Sequence, residues 1–168
     1  MQDKQIVFHT ATCLNWQHLL ALDKRKQIIM DSFKFLCNDN RIYLLAFVIM
    51  PNHIHWIWEI KEEWKHKNIK QMFLKYTAQQ IKFSLCIDEL KNYKSTQSDR
   101  QYHFWERRSW KAEMTNRKVL EQKLDYIHRN PVKANLVKIE EDYTFSSAAF
   151  YLQKETEWNF LTHYMDRI

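Results

Sequence analysis

Residues 46–60, AFVIMPNHIHWIWEI, join two apolar runs through Pro51 and Asn52. The run from Ile42 to Met50 ends at the proline, and a second apolar-aromatic run restarts at His53, punctuation that separates the two strands of a hairpin. Side chains alternate along a strand, so His53, His55, Ile57 and Glu59 share one face while Ile54, Trp56, Trp58 and Ile60 share the other. One face is apolar and the other presents two imidazoles. A His-x-His pair on a strand offers two nitrogen ligands to one cation without first ordering a loop. Two histidines tolerated on a half-exposed sheet face are the plainer alternative, and spacing alone leaves both open.

Outward from the hairpin, the pattern alternates strand and helix. Gln5 to Thr12 is a short β-prone run and the expected first strand. From Lys24 to Cys37, Ile28, Ile29, Phe33, Leu36 and Cys37 repeat at helical spacing. Asn38, Asp39 and Asn40 then form a glycine-free turn that caps this helix, since Asn and Asp tolerate left-handed conformations. Ile42 to Ile49 is apolar at nearly every position, as a central strand covered on both faces requires. A second helix runs from about Asn68 to Ile87, with Ile69, Met72, Phe73, Tyr76 and Phe83 in one sector of the helical wheel. Lys67, Lys70, Lys75 and Lys82 lie on the other side, as a phosphate-binding stripe or as the solvated face any such helix needs. Residues 91–100 form a polar loop, and HFWER, residues 103–107, is the expected fourth strand.

The order strand, helix, strand, strand, helix, strand is a split βαβ, so the expected class is α+β with a ferredoxin-like antiparallel sheet. Two helices cover one sheet face, which places Trp56 and Trp58 beneath them and His53 and His55 on the open side. An additional helix follows: Thr115-Asn116 can supply an N-cap, RKVLEQKLDYIHRN packs through Leu120, Leu124 and Ile127, and Pro131 is expected to stop it. Gln122, Tyr126 and Asn130 recur at i, i+4 and i+8 and project together, with the direction of Asn130 less defined because it precedes proline.

Composition sets the outer limits. The chain has 168 residues, 45% hydrophobic and 15% aromatic, enough for one domain over 1–168, with a core at about 5–151 and a tail at 152–168. A formal net charge of +6 and a pI near 9.2 favour a polyanionic partner such as nucleic acid, although ordinary basic proteins share them. Cys13, Cys37 and Cys86 are odd in number and scattered, which indicates neither a disulfide framework nor a Cys-x-x-Cys zinc site and fits a reducing cytoplasm. The N-terminus lacks a signal-peptide core and no apolar run is long enough to span a bilayer, so no membrane partner is expected. The absence of any glycine excludes G-x-G-x-x-G and Walker-type phosphate loops.

MPNHIH in the hairpin, the FWE segment, KLDYIHRNPVKANLV and DYTFSSAAFY together resemble the REP-associated tyrosine transposases. These are relatives of the IS200/IS605 transposases in the single-tyrosine (Y1) branch of the HUH endonucleases, and the similarity spans roughly residues 5–151. The resemblance implies a ferredoxin-like catalytic fold, His53 and His55 as metal ligands, Asn130 in the place of the third, helix-borne ligand, and Tyr126 as nucleophile. It also implies metal-dependent cleavage and rejoining of single-stranded DNA that carries an imperfect palindrome or hairpin, through a 5′-phosphotyrosine.

Two imidazoles and one amide oxygen with open positions suit Mg²⁺ or Mn²⁺ better than structural zinc. Neutral imidazole being the ligand form, activity is expected to fall as pH drops through about 6.5. For Tyr126 alone, an interfacial tyrosine with a buried ring is the alternative, and for Asn130 a helix-end amide before proline. His103 and His128 carry no role. Arg107, Arg108, Trp110, Lys111, Lys123, Arg129 and Lys133, with the four lysines of the second helix, are the candidate DNA contacts. An inactive domesticated DNA-binding module and a water-using phosphodiesterase are the competing readings; oligomeric state, monomer or homodimer, is open.

Overall fold

The computed structural model describes residues 5–168 and forms β1 (Ile6–Thr12), α1 (Asp23–Asn38), β2 (Ile42–Ile49), β3 (His53–Ile60), α2 (Ile69–Phe83), α3 (Ile87–Lys91), β4 (Lys111–Glu113), α4 (Arg117–Lys133) and α5 (Ala148–Tyr151). The sheet order is β2-β3-β1-β4 with every pairing antiparallel, the order of a ferredoxin-like split βαβ. The α+β class read from the hairpin holds.

Alternation along β3 sorts its side chains as its sequence predicts. Ile54, Trp56 and Trp58 are fully buried with Phe33 of α1 and Phe73 of α2. Phe33 and Phe73 stack at 4.7 Å, and Trp56 and Trp58 meet edge to face at 5.4 Å. Each such ring contributes about 1.5–3 kcal/mol by leaving water, so this aromatic layer seats the helices on the sheet. The opposite face is not open along its length: Ile6, Phe8, Leu45, Ala46, Val48, Met50 and Ile57 pack against Leu120 and Ile127 of α4. A bulge between Leu44 and Ala46 turns both Leu45 and Ala46 toward α4 and restores the alternation for Phe47 and Val48. The end of the sheet carrying His53 and His55 opens on a cleft.

Three expected boundaries change. HFWER is not the fourth strand: Trp105 makes a single bridge to Cys13, and the strand beside β1 is Lys111–Glu113. Phe104 and Trp105 are buried in the helix-side core, so their β-prone composition serves packing instead of a ladder. The second helix ends at Phe83, and Thr77 and Ile81 take core positions while Met72, Tyr76 and Phe83 face solvent. Thr77 Oγ1 donates to Phe73 O at 2.9 Å, which lets a hydroxyl sit inside the core. Pro131 does not stop α4: it removes the backbone donor that would bond Ile127 O, yet the helix continues two residues past it, to Lys133. Asn135, with φ of 55°, ends it in the left-handed region. Asn116 caps the other end, its side chain accepting from Val119 N at 3.0 Å, and Asn40, with φ of 58°, makes the glycine-free turn after α1.

The segment DYTFSSAAFY, residues 142–151, locks α4 to the sheet. Ile49 N donates to Phe145 O, Ser147 N to Phe47 O, Tyr143 Oη to Ile49 O and Tyr151 Oη to Leu45 O, so this segment satisfies the free edge of β2. Ser147 Oγ lies 2.9 Å from His128 Nε2 of α4 and accepts from Phe47 N at 3.0 Å. His128 is therefore a satisfied core histidine. The tail docks on the same body: Trp158 Nε1 donates to Thr144 O, Tyr164 Oη to Glu121 of α4, and Arg167 donates twice to Glu59 at 2.8 and 2.9 Å. Among the described residues no helix is long and apolar enough to cross a membrane.

Candidate active site

Antiparallel pairing of β1 with β3 sets Thr10 opposite His55 and Thr12 opposite His53. Thr10 Oγ1 lies 2.8 Å from His55 Nδ1, and Asn52 Oδ1 lies 2.7 Å from His53 Nδ1. Each imidazole thus has its Nδ1 engaged on the protein side, which orients the ring and leaves Nε2 for the cleft. The two ring centroids are 4.7 Å apart. α4 crosses above them: Tyr126 Oη reaches 3.4 Å from His55 Nε2, and the Asn130 side chain hydrogen-bonds His53. Two imidazoles, a carboxamide and a phenol, separated by some seventy residues in the chain, converge in one cleft of about 520 Å³.

The electrostatics follow from burial. His55 is only 5% exposed; desolvation, with smaller pushes from His53 and Lys123, lowers its pKa to about 3. His53 is lowered too, by desolvation, with the Asn130 hydrogen bond opposing. Burial thus biases both rings toward the neutral form, the form that can donate a lone pair. With both pKa values lowered, the expected fall in metal-dependent activity moves to below pH 6.5. Lys123 Nζ sits 5.4 Å from the centroid of the Tyr126 ring and Lys133 Nζ 5.7 Å from it, so two cations flank the phenol.

Burial of neutral histidine also governs stability. His9 and His55 are held at about 3 and His128 at about 4, in each case chiefly by desolvation. Below about pH 6.5 the unfolded chain binds protons on these rings and the folded chain does not, so stability falls as pH falls, over the window from about 6.5 down to about 3–4. At pH 5 the loss is roughly 2 kcal/mol per ring. Urea unfolding in chelator at pH 7 and pH 5 is expected to show a drop of several kcal/mol; equal stability at both would contradict neutral burial.

The remaining candidates separate into groups. Lys123 and Trp110 line the cleft with Phe8, Thr10 and Trp16, and Lys133 stands over Tyr126. Lys70, Lys75 and Arg107 line a second, larger groove of about 810 Å³ between α2 and the 99–109 segment, joined there by Arg100. Lys82 lies over Tyr102, a ring of that groove, and Lys111 on β4 is close enough to Lys70 to lower its pKa, after desolvation. Lys67 and Arg108 are exposed and line neither cavity, and Arg129 pairs with Asp125 at 3.0 Å and Glu140 at 3.5 Å. His103 lines the basic groove, its pKa lowered by burial and then by Arg100 and Arg107. Sequence reading missed Thr10, Trp16, Asn52 and Arg100; pairing the HTAT segment with HIH in antiparallel register would have found Thr10.

Among the described residues no group of three or more His, Cys, Asp or Glu side chains could hold a metal ion. The donor set nevertheless fits a hard divalent cation completed by water and phosphate: both Nδ1 atoms are tied back, and the Nε2 atoms and the Asn130 carboxamide face one cleft.

A histidine pair on the β2-β3 hairpin thus faces a tyrosine on a following helix over a ferredoxin-like sheet. A family profile described as "Transposase IS200 like" matches residues 3–130. A REP-associated tyrosine transposase of Haemophilus influenzae is 31% identical over 139 residues, covering 77% of this chain and 76% of that protein. The REP-associated tyrosine transposase of Escherichia coli is 26% identical over 137 residues, covering 74% and 70%. Among solved structures, a REP-associated tyrosine transposase bound to a REP hairpin superposes with a TM-score of 0.66 at 21% identity, covering 89% of this chain and 80% of the other. The chain belongs to the IS200-like Y1 transposases, a family of enzymes, and groups there with the REP-associated tyrosine transposases.

Proposed function

We propose that this enzyme cleaves and rejoins single-stranded DNA beside a hairpin by tyrosine transesterification, with the site built in cis from one chain. The observation that carries the reading is the 3.4 Å approach of Tyr126 Oη to His55 Nε2, with Asn130 bonded to His53 one turn further along α4. Tyr126 oxygen attacks a phosphorus, forming the O–P bond as the bond to the 3′ oxygen breaks; the phenol proton is lost and the departing oxygen becomes a 3′-hydroxyl. The ester energy is retained in the 5′-phosphotyrosine, so a 3′-hydroxyl from another strand can reverse the step and join ends.

His53, His55 and Asn130 would hold Mg²⁺ or Mn²⁺, which when bound supplies charge stabilisation at the non-bridging phosphate oxygens. Thr10 and Asn52 fix the imidazoles, and Lys123 and Lys133 place positive charge beside the phenol where negative charge develops. The groove with Lys70, Lys75 and Arg107, where Arg100 pairs with Asp99 at 2.9 Å, has cationic side chains able to contact a phosphate backbone.

Hairpin-bearing single strands labelled at either end, incubated with Mn²⁺ and then denatured, test the reading. The expected result is that 3′ label migrates with the protein and 5′ label appears on a shortened free strand. Binding without products would favour an inactive module, and products without an adduct would favour hydrolysis by water.

A further inference from the structure

Trp16 is 60% exposed and stands at the mouth of the cleft, where the hydrophobic effect alone would not leave an indole. Its backbone is held in the left-handed region, φ of 56°, directly after Asn15 at φ of 53°, an unfavourable conformation for a bulky side chain. The turn is over-determined by its neighbours. Asn15 N donates to Glu106 Oε1 at 2.7 Å, Trp16 N to Cys13 O at 2.9 Å and Leu14 N to Phe104 O at 2.8 Å. Cys13 N donates to Asn52 O at 2.9 Å, which ties the turn to the hairpin loop beside His53. A strained backbone braced from three segments and ending in an exposed ring marks a side chain held for contact with something outside the chain.

The ring lies in a continuous row. Centroid separations are 5.9 Å from Trp16 to His53, 4.7 Å to His55, 5.5 Å to Phe8 and 5.5 Å to Trp110. Trp110 is 53% exposed and carries Lys123 Nζ at 4.7 Å over its face. The imidazoles and Tyr126 therefore sit between two exposed indoles. We propose that Trp16 and Trp110 are stacking subsites for the two nucleobases that flank the phosphate held in the cleft, Trp16 beside His53 and Trp110 beside Lys123. The proposal rests on the single-strand reading above and adds base subsites to it. Stacking requires unpaired bases, so these subsites also select single strands over duplex, and because every base has a π-face they do so with little sequence preference. Both tryptophans act as positioning residues.

The test uses the full chain and two probes of equal length, about twelve nucleotides: a single-stranded oligothymidylate and the same sugar-phosphate backbone with every base removed. Anisotropy of an end label gives the binding preference for the base-bearing strand. Wild type is expected to show a clear preference, Trp16→Ala and Trp110→Ala each to reduce it about tenfold by weakening only the base-bearing complex, and Trp16→Phe to stay within about threefold of wild type. Weakening of both probes equally by Trp16→Ala, or an undiminished preference, would overturn the stacking role. A wild type that binds both probes alike would overturn it too while leaving the single-strand reading standing. A wild type that binds neither would sink that reading and the subsites with it.

Discussion

Tyr126→Phe is expected to lower covalent adduct formation and strand cleavage by about four orders of magnitude or more, with DNA affinity changed by less than about threefold. The substitution removes one oxygen and leaves the ring. That oxygen makes its contact with His55 Nε2 at 3.4 Å and is the proposed nucleophile. The ring keeps its edge contacts with Phe8 and His55 and the two lysine ammonium groups near its face. Tyr126 is 38% exposed, so the variant should unfold at nearly the same urea concentration as wild type, within about 0.5 kcal/mol. Single-turnover cleavage, gel-shift affinity and urea melts on one preparation separate these effects. Retention of cleavage in Tyr126→Phe would assign the reaction to water.

The second large effect concerns the imidazoles. His53→Ala and His55→Ala are each expected to weaken Mn²⁺ binding, read by the paramagnetic signal of the free ion, by at least about tenfold and to lower adduct formation by about a thousandfold. Asn130→Ala should cost less of both, because an amide oxygen is the weaker donor and water can replace it. The orienting pair gives a finer prediction in the same assay: Thr10→Val keeps the shape of the side chain but leaves His55 Nδ1 without its partner at 2.8 Å, so Mn²⁺ affinity should fall while the fold persists. Unchanged Mn²⁺ binding in both histidine variants would place the metal, or the lack of one, elsewhere.

How much of this was legible in the sequence depended on whether a pattern was local. The hairpin was readable because Pro51-Asn52 punctuates two runs and the period-2 alternation assigns Trp56 and His55 to opposite faces without any knowledge of the partner strands. Tyr126 and Asn130 were readable as neighbours because helical spacing puts i and i+4 together, and α4 carries that spacing through Pro131. The fourth strand failed because HFWER has strand composition but is buried by packing, whereas Lys111–Glu113 is only three residues long with two exposed charges. The second helix was over-extended to Ile87 because nothing local announces its end, where Ser84 N bonds Ile81 O and Leu85 N bonds Lys82 O in a closing turn after Phe83.

The site itself was half legible. The proposed ligands and nucleophile lie on regular elements, where spacing fixes direction. Trp16 lies in a turn whose left-handed backbone nothing in the sequence announces, since neither Asn15 nor Trp16 is glycine. Asn52 was read as turn punctuation, and its second service, holding His53 Nδ1, needs coordinates. Ser147 and Tyr151 were noticed as a motif, but their physical work is to bond β2 and His128, which only the tertiary arrangement brings together.

The central claim is that Tyr126 becomes covalently joined to DNA. Digesting the denatured product of a Mn²⁺ reaction with protease and nuclease, then sequencing the modified peptide by mass spectrometry, tests it most directly. The expected product is a nucleotide 5′-phosphate on Tyr126 in the peptide that contains KLDYIHR. Cleaved DNA with an unmodified Tyr126, or with the nucleotide on any other residue, would contradict it.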